Sequence, residues 1–330
     1  MGTKRLCRAA DIDPPYILRR KLMRTKRILS LALAVILTAL SLVSLASCGN
    51  KMYKDKEFKV EEHYDGTYSL VDIFDTDITE ITIPTEVKGK PITGVSGAAF
   101  NDCDKLEKII FPEHITKITG ISDDCVSLKE IVLKCRELPY SLNTSPLCEE
   151  DEGIAEGIKL TIASSVTLVS SKLLHDLNVK EVVFEEGCNP SLMNFEDCAK
   201  LQKVTFASTM ESTSTFKNCP ALTTVIIPEG VKYVGSLTNC TSLTSISLPS
   251  TVCESSSDEF MDLSHTFGGC SKLTDIYYEG SAAAWSLRDG VYYLSSNDSK
   301  FGTENPDYAK TGIYCTIHCT DGDIQVKKYK

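Results

Sequence analysis

Residues 216–228 read F-K-N-C-P-A-L-T-T-V-I-I-P, a stretch that reduces to Phe-x-x-Cys-x-x-Leu-x-x-Val-x-Ile-Pro. The same skeleton, with conservative replacements, recurs elsewhere in the chain around Cys103, Cys125, Cys198, Cys240 and Cys270. Self-similarity at a nearly fixed period is typical of stacked structural repeats. The chain is therefore expected to form a solenoid, in which each repeat packs on its neighbours.

Each repeat contains the pattern of one short strand. Val225 and Ile227 alternate about Ile226, which is the two-residue period of a strand, and Pro228 then removes a backbone donor and ends it. The residue before the cysteine is often Asn or Asp, which suits a turn without ladder partners. Successive units lie 21 to 30 residues apart, and the aligned residues are Asp75, Cys103, Cys125, Ile154, Asp176, Cys198, Cys219, Cys240 and Cys270.

The N-terminal segment has the composition of an export signal. A basic group at residues 24–27 precedes an uncharged apolar run at 28–45, and the run ends in Leu-Ala-Ser-Cys at residues 45–48. That ending resembles the lipobox of bacterial lipoproteins, which implies cleavage before Cys48 and attachment to the membrane through a lipid on its thiol. The alternative is an uncleaved membrane anchor, because the apolar run approaches the length that spans a bilayer.

These features divide the chain into segments. Residues 1–22, which contain two aspartates and two prolines ahead of Met23, are predicted to be a wrongly included upstream extension, so that Met23 rather than Met1 is the start. Residues 23–47 are the predicted lipoprotein signal peptide, and 48–60 are a polar tether. The repeat domain is expected over 61–323, with an N-terminal hairpin cap and a C-terminal cap, and 324–330 form a tail.

The charge balance disfavours nucleic acid as a partner. The chain has a formal net charge of −10, and removing residues 1–47 leaves 26 basic against 43 acidic residues. Proteins that bind phosphate backbones need Lys and Arg to displace counterions. An acidic exported domain is therefore expected to bind no nucleic acid.

The repeat resembles the BspA-type leucine-rich repeats of bacterial surface proteins. The segment V-K-G-K-P-I-T-G-V-S-G-A-A-F at residues 87–100 is similar to that family, and Y-Y-E-G at 277–280, Trp285 and T-I-H-C-T-D-G at 316–322 resemble its terminal cap. The resemblance implies a β-rich solenoid: a leucine-rich-repeat, right-handed coil of about nine rungs of 21–30 residues, with short parallel strands and few short helices.

The resemblance also implies a function. We expect a non-catalytic, surface-anchored adhesion lipoprotein that uses a leucine-rich-repeat face to bind an extracellular protein and is a monomer at the outer surface of the cell envelope. The alternatives are a carbohydrate-binding accessory lipoprotein, a structural spacer without a ligand and an enzyme. None of the five histidines lies near a recognised catalytic motif, so no catalysis and no cofactor are predicted.

The cysteines are expected to be packing residues. Cys is small and among the most buried residue types, which suits a repeated core position. An exported protein could still oxidise Cys135 and Cys148 across a polar insertion. Cys315-x-x-His318-Cys319 has the residue types of a metal site, but in a strand the two cysteines share one face and His318 points away. No metal site is therefore predicted.

One row of strand positions separates the two halves of the solenoid. The residue before the first inward strand position alternates in sign in six successive units, which read Glu80, Lys108, Glu130, Lys159, Glu181 and Lys203. Lateral neighbours in a parallel sheet lie about 4.8 Å apart, so these charges should neutralise one another. The later units lack the alternation, so a ligand that uses this face is expected in the C-terminal half, and the alternative is a merely solvated polar sheet. The candidate binding residues are Thr205, Thr224, Ile226, Ser245, Ser247, Asp275 and Tyr277.

Overall fold

The computed structural model describes residues 52–54, 57–122, 124–138, 157–169, 174–175, 177–188, 193–253, 266–286 and 315–325. The predicted upstream extension, signal peptide, lipidated Cys48 and residues from 326 onward lie outside them. So do Cys148 and the aligned positions Ile154 and Asp176. Within the described part of the chain, no helix is long and apolar enough to cross a membrane.

The fold is built from short strands with few helical turns, as expected for a β-rich leucine-rich-repeat solenoid. Short helical segments include the 3₁₀ turns Gly97–Phe100 and Ser250–Cys253 and the helix α1 (Ala282–Ser286). The strands in chain order are β1 (Met52–Lys54), β2 (Phe58–Glu62), β3 (Tyr68–Ile73), β4 (Glu80–Thr82), β5 (Glu86–Val87), β6 (Lys90–Val95), β7 (Lys108–Phe111), β8 (Lys117–Ile118), β9 (Glu130–Leu133), β10 (Glu137–Leu138), β11 (Ile158–Ile162), β12 (Leu168–Val169), β13 (Val179–Phe184), β14 (Asn194–Glu196), β15 (Lys203–Thr205), β16 (Thr215–Lys217), β17 (Thr224–Ile226), β18 (Ser245–Leu248), β19 (Asp275–Tyr278), β20 (Thr316–Cys319) and β21 (Gly322–Gln325).

The strands predicted from the repeat form two successive sheets. The first contains six parallel strands in the order β4-β7-β9-β11-β13-β15, and the second has the order β17-β18-β19-β20-β21, with only β21 antiparallel. Among the described residues, no ladder pairing joins β15 to β17. The paired sheet is therefore interrupted between Thr205 and Thr224, at the repeat where the alternation of charge ends.

The core lies behind these sheets and repeats from rung to rung. The aromatic position of the motif is fully buried in Phe100, Phe195, Phe216 and Phe267. Phe195 and Phe216 stack with ring centroids 4.9 Å apart, and the strands that carry them, β14 and β16, pair in parallel on the other side of the coil. Burying a large apolar side chain contributes roughly 1.5–3 kcal/mol, so the periodic aromatic position is a main source of stability.

The motif cysteines are buried free thiols, as predicted. Cys240 Sγ donates to the backbone oxygen of Phe216 in the preceding rung at 3.5 Å, and Cys125 Sγ donates to that of Phe100 at 3.6 Å. Cys suits this position because it is small and also carries a weak donor. Cys135 is likewise a free buried thiol, whereas its suggested partner Cys148 lies outside the described residues.

The Asn or Asp before the motif cysteine occupies a left-handed turn. Asp102, Asp197, Asn218 and Asn239 all have φ between 54° and 62°. Asn and Asp tolerate this conformation better than other side chains do, because their short polar groups bond nearby backbone. The predicted turn at these residues is therefore confirmed, and the left-handed backbone explains why Asn or Asp recurs there.

The N-terminal cap contains the predicted hairpin and an additional strand, β1. β2 pairs antiparallel with β3, and Gly66 in the turn has φ 83°, as an Asp-Gly turn requires. The predicted tether over 48–60 is wrong for its described residues, because β1 pairs with β2 and Val60 is fully buried. The polar composition hid the alternation by which β2 places one face against the core.

The C-terminal cap covers the last repeat strand. β20 pairs in parallel with β19, and β21 folds back on β20 and extends to Gln325, beyond the predicted domain end at 323. Trp285 is fully buried and packs edge-on against Tyr278, with ring centroids 5.1 Å apart. A terminal repeat needs such a cover, since its apolar face would otherwise meet water.

Candidate functional site

The outward faces of the two sheets have different chemistry. In the six-stranded sheet the register aligns Glu80, Lys108, Glu130, Lys159, Glu181 and Lys203 across neighbouring strands, as predicted. Glu130 Oε2 lies 3.4 Å from Lys108 Nζ, and its Oε1 lies 3.2 Å from Lys159 Nζ. Glu181 bonds Lys203 at 2.7 Å. This face satisfies its own charges and offers little net charge to a ligand.

The electrostatic environment of Glu130 reflects these contacts. Partial burial raises the pKa of this carboxyl, but the hydrogen bond with Lys159 and the charges of Lys159 and Lys108 outweigh burial and lower the pKa below its ordinary value. The carboxylate therefore stays ionised between its two lysines at neutral pH. It serves as a structural link between three strands.

The outward face of the five-stranded sheet carries hydroxyl, aromatic and acidic groups. Its described outward positions hold no Lys or Arg. One row aligns Thr224, Ser245, Asp275 and Thr316, and the next aligns Ile226, Ser247, Tyr277 and His318. Ile226 is 65% exposed and Tyr277 is 47% exposed, which are high values for large apolar groups on a sheet. Exposed apolar groups among hydroxyls are characteristic of contact surfaces.

An aromatic stack stands at the C-terminal side of this face. The Tyr277 ring and the His318 imidazole have centroids 4.8 Å apart and an interplanar angle of 17°. Their separation equals the spacing of adjacent strands, because the two residues are register partners on β19 and β20. The stack is therefore built by strand pairing and is held in place by the backbone.

Two carboxylates flank the imidazole. His318 Nε2 lies 2.9 Å from Asp275 Oδ1, and His318 Nδ1 lies 3.1 Å from Asp323 Oδ1. The hydrogen bond with Asp275 raises the pKa of His318 against the smaller opposing effect of burial, and Asp323 adds to the rise. The bonds of Asp275 to His318 and then to Thr274 lower the pKa of that carboxyl. Because both ring nitrogens face carboxylate oxygens, this arrangement favours the imidazolium form, which can donate from both nitrogens.

Six of the seven predicted binding residues share this face. Thr224, Ser245 and Asp275 are lateral neighbours, and so are Ile226, Ser247 and Tyr277. Thr205 differs, because it belongs to β15 at the edge of the six-stranded sheet and has no ladder pairing with β17. Thr205 holds the same place in its unit as Ile226 does in the next, but no backbone ladder joins the two strands that carry them.

The sequence-based set omitted residues that complete the face. His318 and Thr316 continue the two rows on β20, and Asp323 and Gln325 pair with them from β21. The available signal was the alternation of Cys315, Ile317 and Cys319, which directs the residues between them outward. That alternation correctly predicted that His318 points away from the two cysteines, since Cys315 is buried while His318 stacks on Tyr277.

The described residues contain no group of three or more His, Cys, Asp or Glu side chains arranged to hold a metal ion. Burial raises the pKa of the Cys315 thiol to about 12. The other described histidines serve local structure: His175 Nε2 contacts Asp197 Oδ2 at 2.8 Å, and His63 bonds Ser69 at 2.7 Å. The arrangement is one that can bind a partner by stacking and hydrogen bonding.

Comparison with known sequences and structures gives one family. A sequence-family profile described as a BspA type leucine rich repeat region matches in six copies over residues 73–142, 156–236 and 189–283. No curated protein matches this chain. Among solved structures, a leucine rich cell surface protein from Faecalibacterium prausnitzii is similar, with 15% identity over 73% of this chain and 98% of that chain and a TM-score of 0.25.

Two further solved structures are similar. A leucine-rich repeat protein from Bacteroides ovatus is 16% identical over 68% of this chain and 70% of that chain, with a TM-score of 0.25. The pneumococcal vaccine antigen PcpA is 12% identical over 85% of this chain and 100% of that chain, with a TM-score of 0.24.

Proposed function

Because the chain belongs to the BspA-type leucine-rich repeat family, we propose that it is a non-catalytic adhesion lipoprotein that binds an extracellular protein through the outward face of its C-terminal sheet. The face in question is formed by Thr224, Ile226, Ser245, Ser247, Asp275, Tyr277, Thr316, His318, Asp323 and Gln325, and is called the C-terminal face below. Thr205 lies at its border.

The observation that carries this proposal is the contrast between the two sheets. The first sheet pairs its outward charges with one another, whereas the C-terminal face exposes a tyrosine and an isoleucine among small hydroxyls. Tyr is enriched in protein interfaces because it combines a large contact area with a polar group and few rotatable bonds. Such a surface on a rigid parallel sheet fits partner binding better than it fits catalysis.

The test is binding of the full chain to a panel of purified extracellular matrix and cell-surface proteins, followed by substitution. Replacing Thr224, Ser245 and Tyr277 together by Ala should lower the affinity for the captured protein by at least about tenfold, since interface anchors contribute roughly 2 kcal/mol or more. Thr82→Ala combined with Ile110→Ala is the matched control on the first sheet. Equal affinity of both variants for the captured protein would show that the C-terminal face does not take part in binding.

A carbohydrate partner is the second candidate, because Tyr277 exposes its ring beside the carboxylate of Asp275. Sugars stack on aromatic rings and donate hydroxyl hydrogen bonds to carboxylates. A glycan array probed with the full chain separates this candidate from protein binding. A spacer without a ligand would bind neither panel and would tolerate the triple Ala change in a cell-adhesion assay.

Anchoring and exposure are proposed on the sequence at residues 24–48. Cys48→Ser should abolish incorporation of labelled fatty acid and release the protein from the membrane fraction, since two acyl chains give stable attachment. Protease treatment of intact cells should remove the repeat domain if it faces outward. A chain that begins at Met23 should be exported like the full chain; loss of export would overturn the proposed start.

A further inference from the structure

We propose that the C-terminal face binds an arginine side chain of its protein partner in a slot between Tyr277 and Ile226, with Ser247 as its floor. This inference rests on the protein-binding function proposed above and names the chemistry that the partner must present. It follows from the spacing of three strands, the orientation of one ring and the charges of the face.

The width of the slot is set by strand pairing. Ile226, Ser247 and Tyr277 are register partners on β17, β18 and β19, so the two larger residues stand two strand spacings apart, or roughly 9.6 Å. Ser247 has a short side chain between them and leaves the space above it open. A planar group in contact with both walls needs about 3.5–4 Å on either side, which this separation provides.

The ring of Tyr277 presents one face to the slot. Its other face stacks on His318 at 4.8 Å with an interplanar angle of 17°, so the ring normal points along the sheet from strand to strand. The opposite face is therefore turned toward the Ser247 column. The half-exposed ring is a preformed platform, because the stack prevents it from collapsing onto Ser247.

The polar groups beside the platform are acceptors. Asp275 lies two residues before Tyr277 on the same face, and its oxygens already accept from His318 and Thr274 with lone pairs to spare. The hydroxyl oxygens of Ser245 and Ser247 are further acceptors at the floor. A guanidinium matches this arrangement because it is planar, stacks on aromatic rings and carries five donors in fixed directions.

Charge favours a cation at this place. The C-terminal face has two carboxylates, Asp275 and Asp323, against one imidazolium, and none of its described outward positions is Lys or Arg. The imidazolium of His318 lies on the far side of the Tyr277 ring from the slot. The net charge of −10 for the whole chain also attracts a basic partner at long range. A lysine ammonium would be attracted by the negative charge of the face, but it is not planar and cannot stack in the slot. A neutral sugar would gain no electrostatic attraction from the net charge.

The experiment measures binding of the full chain to an immobilised glycine-serine peptide that carries one arginine, and to the same peptide with citrulline or lysine in its place. Citrulline keeps the planar shape and removes the charge. The arginine peptide should bind about tenfold more tightly than the citrulline peptide, with lysine between them, and the difference should shrink in high salt.

Ser247→Phe fills the slot and should remove the preference for arginine. Thr82→Phe is the matched control, because it makes the same kind of change in the corresponding row of the first sheet and should leave binding unchanged. Circular dichroism checks that both variants are folded. Equal affinity for arginine and citrulline peptides, an unaltered preference in Ser247→Phe, or competition by a neutral oligosaccharide alone would each overturn the inference.

The two proposals fail in different ways. If the triple Ala variant loses its captured protein while arginine and citrulline peptides bind equally, the protein-binding function stands and the arginine slot is wrong. If the full chain captures no protein at all but still prefers the arginine peptide, the slot exists and the proposed adhesion function is wrong.

Discussion

The side-chain amide of Asn239 donates a hydrogen bond of 2.8 Å to Oδ1 of Asn218, although the two residues belong to successive repeats. Asn218 in turn donates from Nδ2 to Oδ1 of Asp197 at 2.8 Å. All three residues have positive φ and stand directly before a motif cysteine. A ladder of side chains thus runs along the solenoid at the turn where the backbone is left-handed.

Replacing one member of this ladder should destabilise the fold. Asn218→Ala is expected to lower the free energy of unfolding by about 1–3 kcal/mol, because a left-handed Ala is strained by roughly 1–2 kcal/mol and two exposed hydrogen bonds are lost. Asn218→Gly loses the same bonds without the strain and should cost less. Urea denaturation measures both, and an Ala variant as stable as the Gly variant would contradict the role assigned to backbone strain.

The buried thiols of Cys103 and Cys135 should be chemically silent in the folded protein. Burial raises the pKa of Cys103 to about 11 and that of Cys135 to about 12. Two pKa units lower the thiolate fraction about 100-fold, and the buried sulfur is also inaccessible. Iodoacetamide at mildly alkaline pH should modify Cys319, which is only partly buried, before these two. Mass spectrometry locates the label, and equally fast labelling of Cys103 would show that the core opens.

The paired charges of the first sheet should stabilise the protein only above acidic pH. The folded-state pKa of Glu130 lies below its ordinary value of 4.5, so its contribution is present above about that pH and is lost as the pH falls through the folded pKa. Glu130→Gln should cost roughly 0.5–1.5 kcal/mol at neutral pH, because two cross-strand pairs are lost.

Glu80→Gln is the matched control for Glu130→Gln, because β4 is the edge strand and Glu80 has a single lateral neighbour, Lys108. Its effect should be smaller. Urea denaturation at neutral pH and below pH 4 measures the loss in free energy of unfolding for both variants. The two variants and the wild-type protein should converge in stability at the lower pH, and a gap that persisted there would mean that packing, not charge, causes the loss.

The C-terminal cap should respond to pH in the opposite direction. The pKa of His318 is raised by Asp275 and Asp323, so the stability that it contributes is complete below the ordinary value of 6.5 and is lost as the pH rises through the folded pKa. Deprotonation would turn one ring nitrogen into an acceptor that faces a carboxylate oxygen, which is also an acceptor, so one hydrogen bond would be lost. NMR titration of the imidazole should give a pKa above 6.5, and Asp323→Asn should lower it.

His318→Gln is the companion variant, because it removes the titrating group while keeping a polar side chain. Hydrogen exchange of β20 and β21 should quicken with rising pH in the wild-type protein, beyond the intrinsic rate, and should lose that extra dependence in the variant. A His318 pKa at or below its ordinary value would contradict the doubly bonded imidazolium.

Much of the outward face could be predicted from the sequence because parallel strands in register copy sequence spacing into space. The alternating row from Glu80 to Lys203 and the neighbours Ser247 and Tyr277 follow from the repeat alone, since each unit enters the sheet at the same position. The N-terminal tether could not be recognised as strands, because the burial of Val60 depends on the hairpin that it pairs with.

The repeat, the strand in each unit, the burial of Phe216 and Cys219 and the point at which the charges stop alternating can all be read from the amino-acid sequence, because they are periodic along the chain. Where the ladder pairing stops, between β15 and β17, is visible only in the folded chain, and it leaves Thr205 without backbone pairing to Ile226. The tertiary structure also decided that His318 stacks on Tyr277 and lies between Asp275 and Asp323. Those contacts depend on how the C-terminal cap packs on the last repeat. Packing between segments that are distant in sequence produces no periodic pattern along the chain, so the sequence does not reveal it.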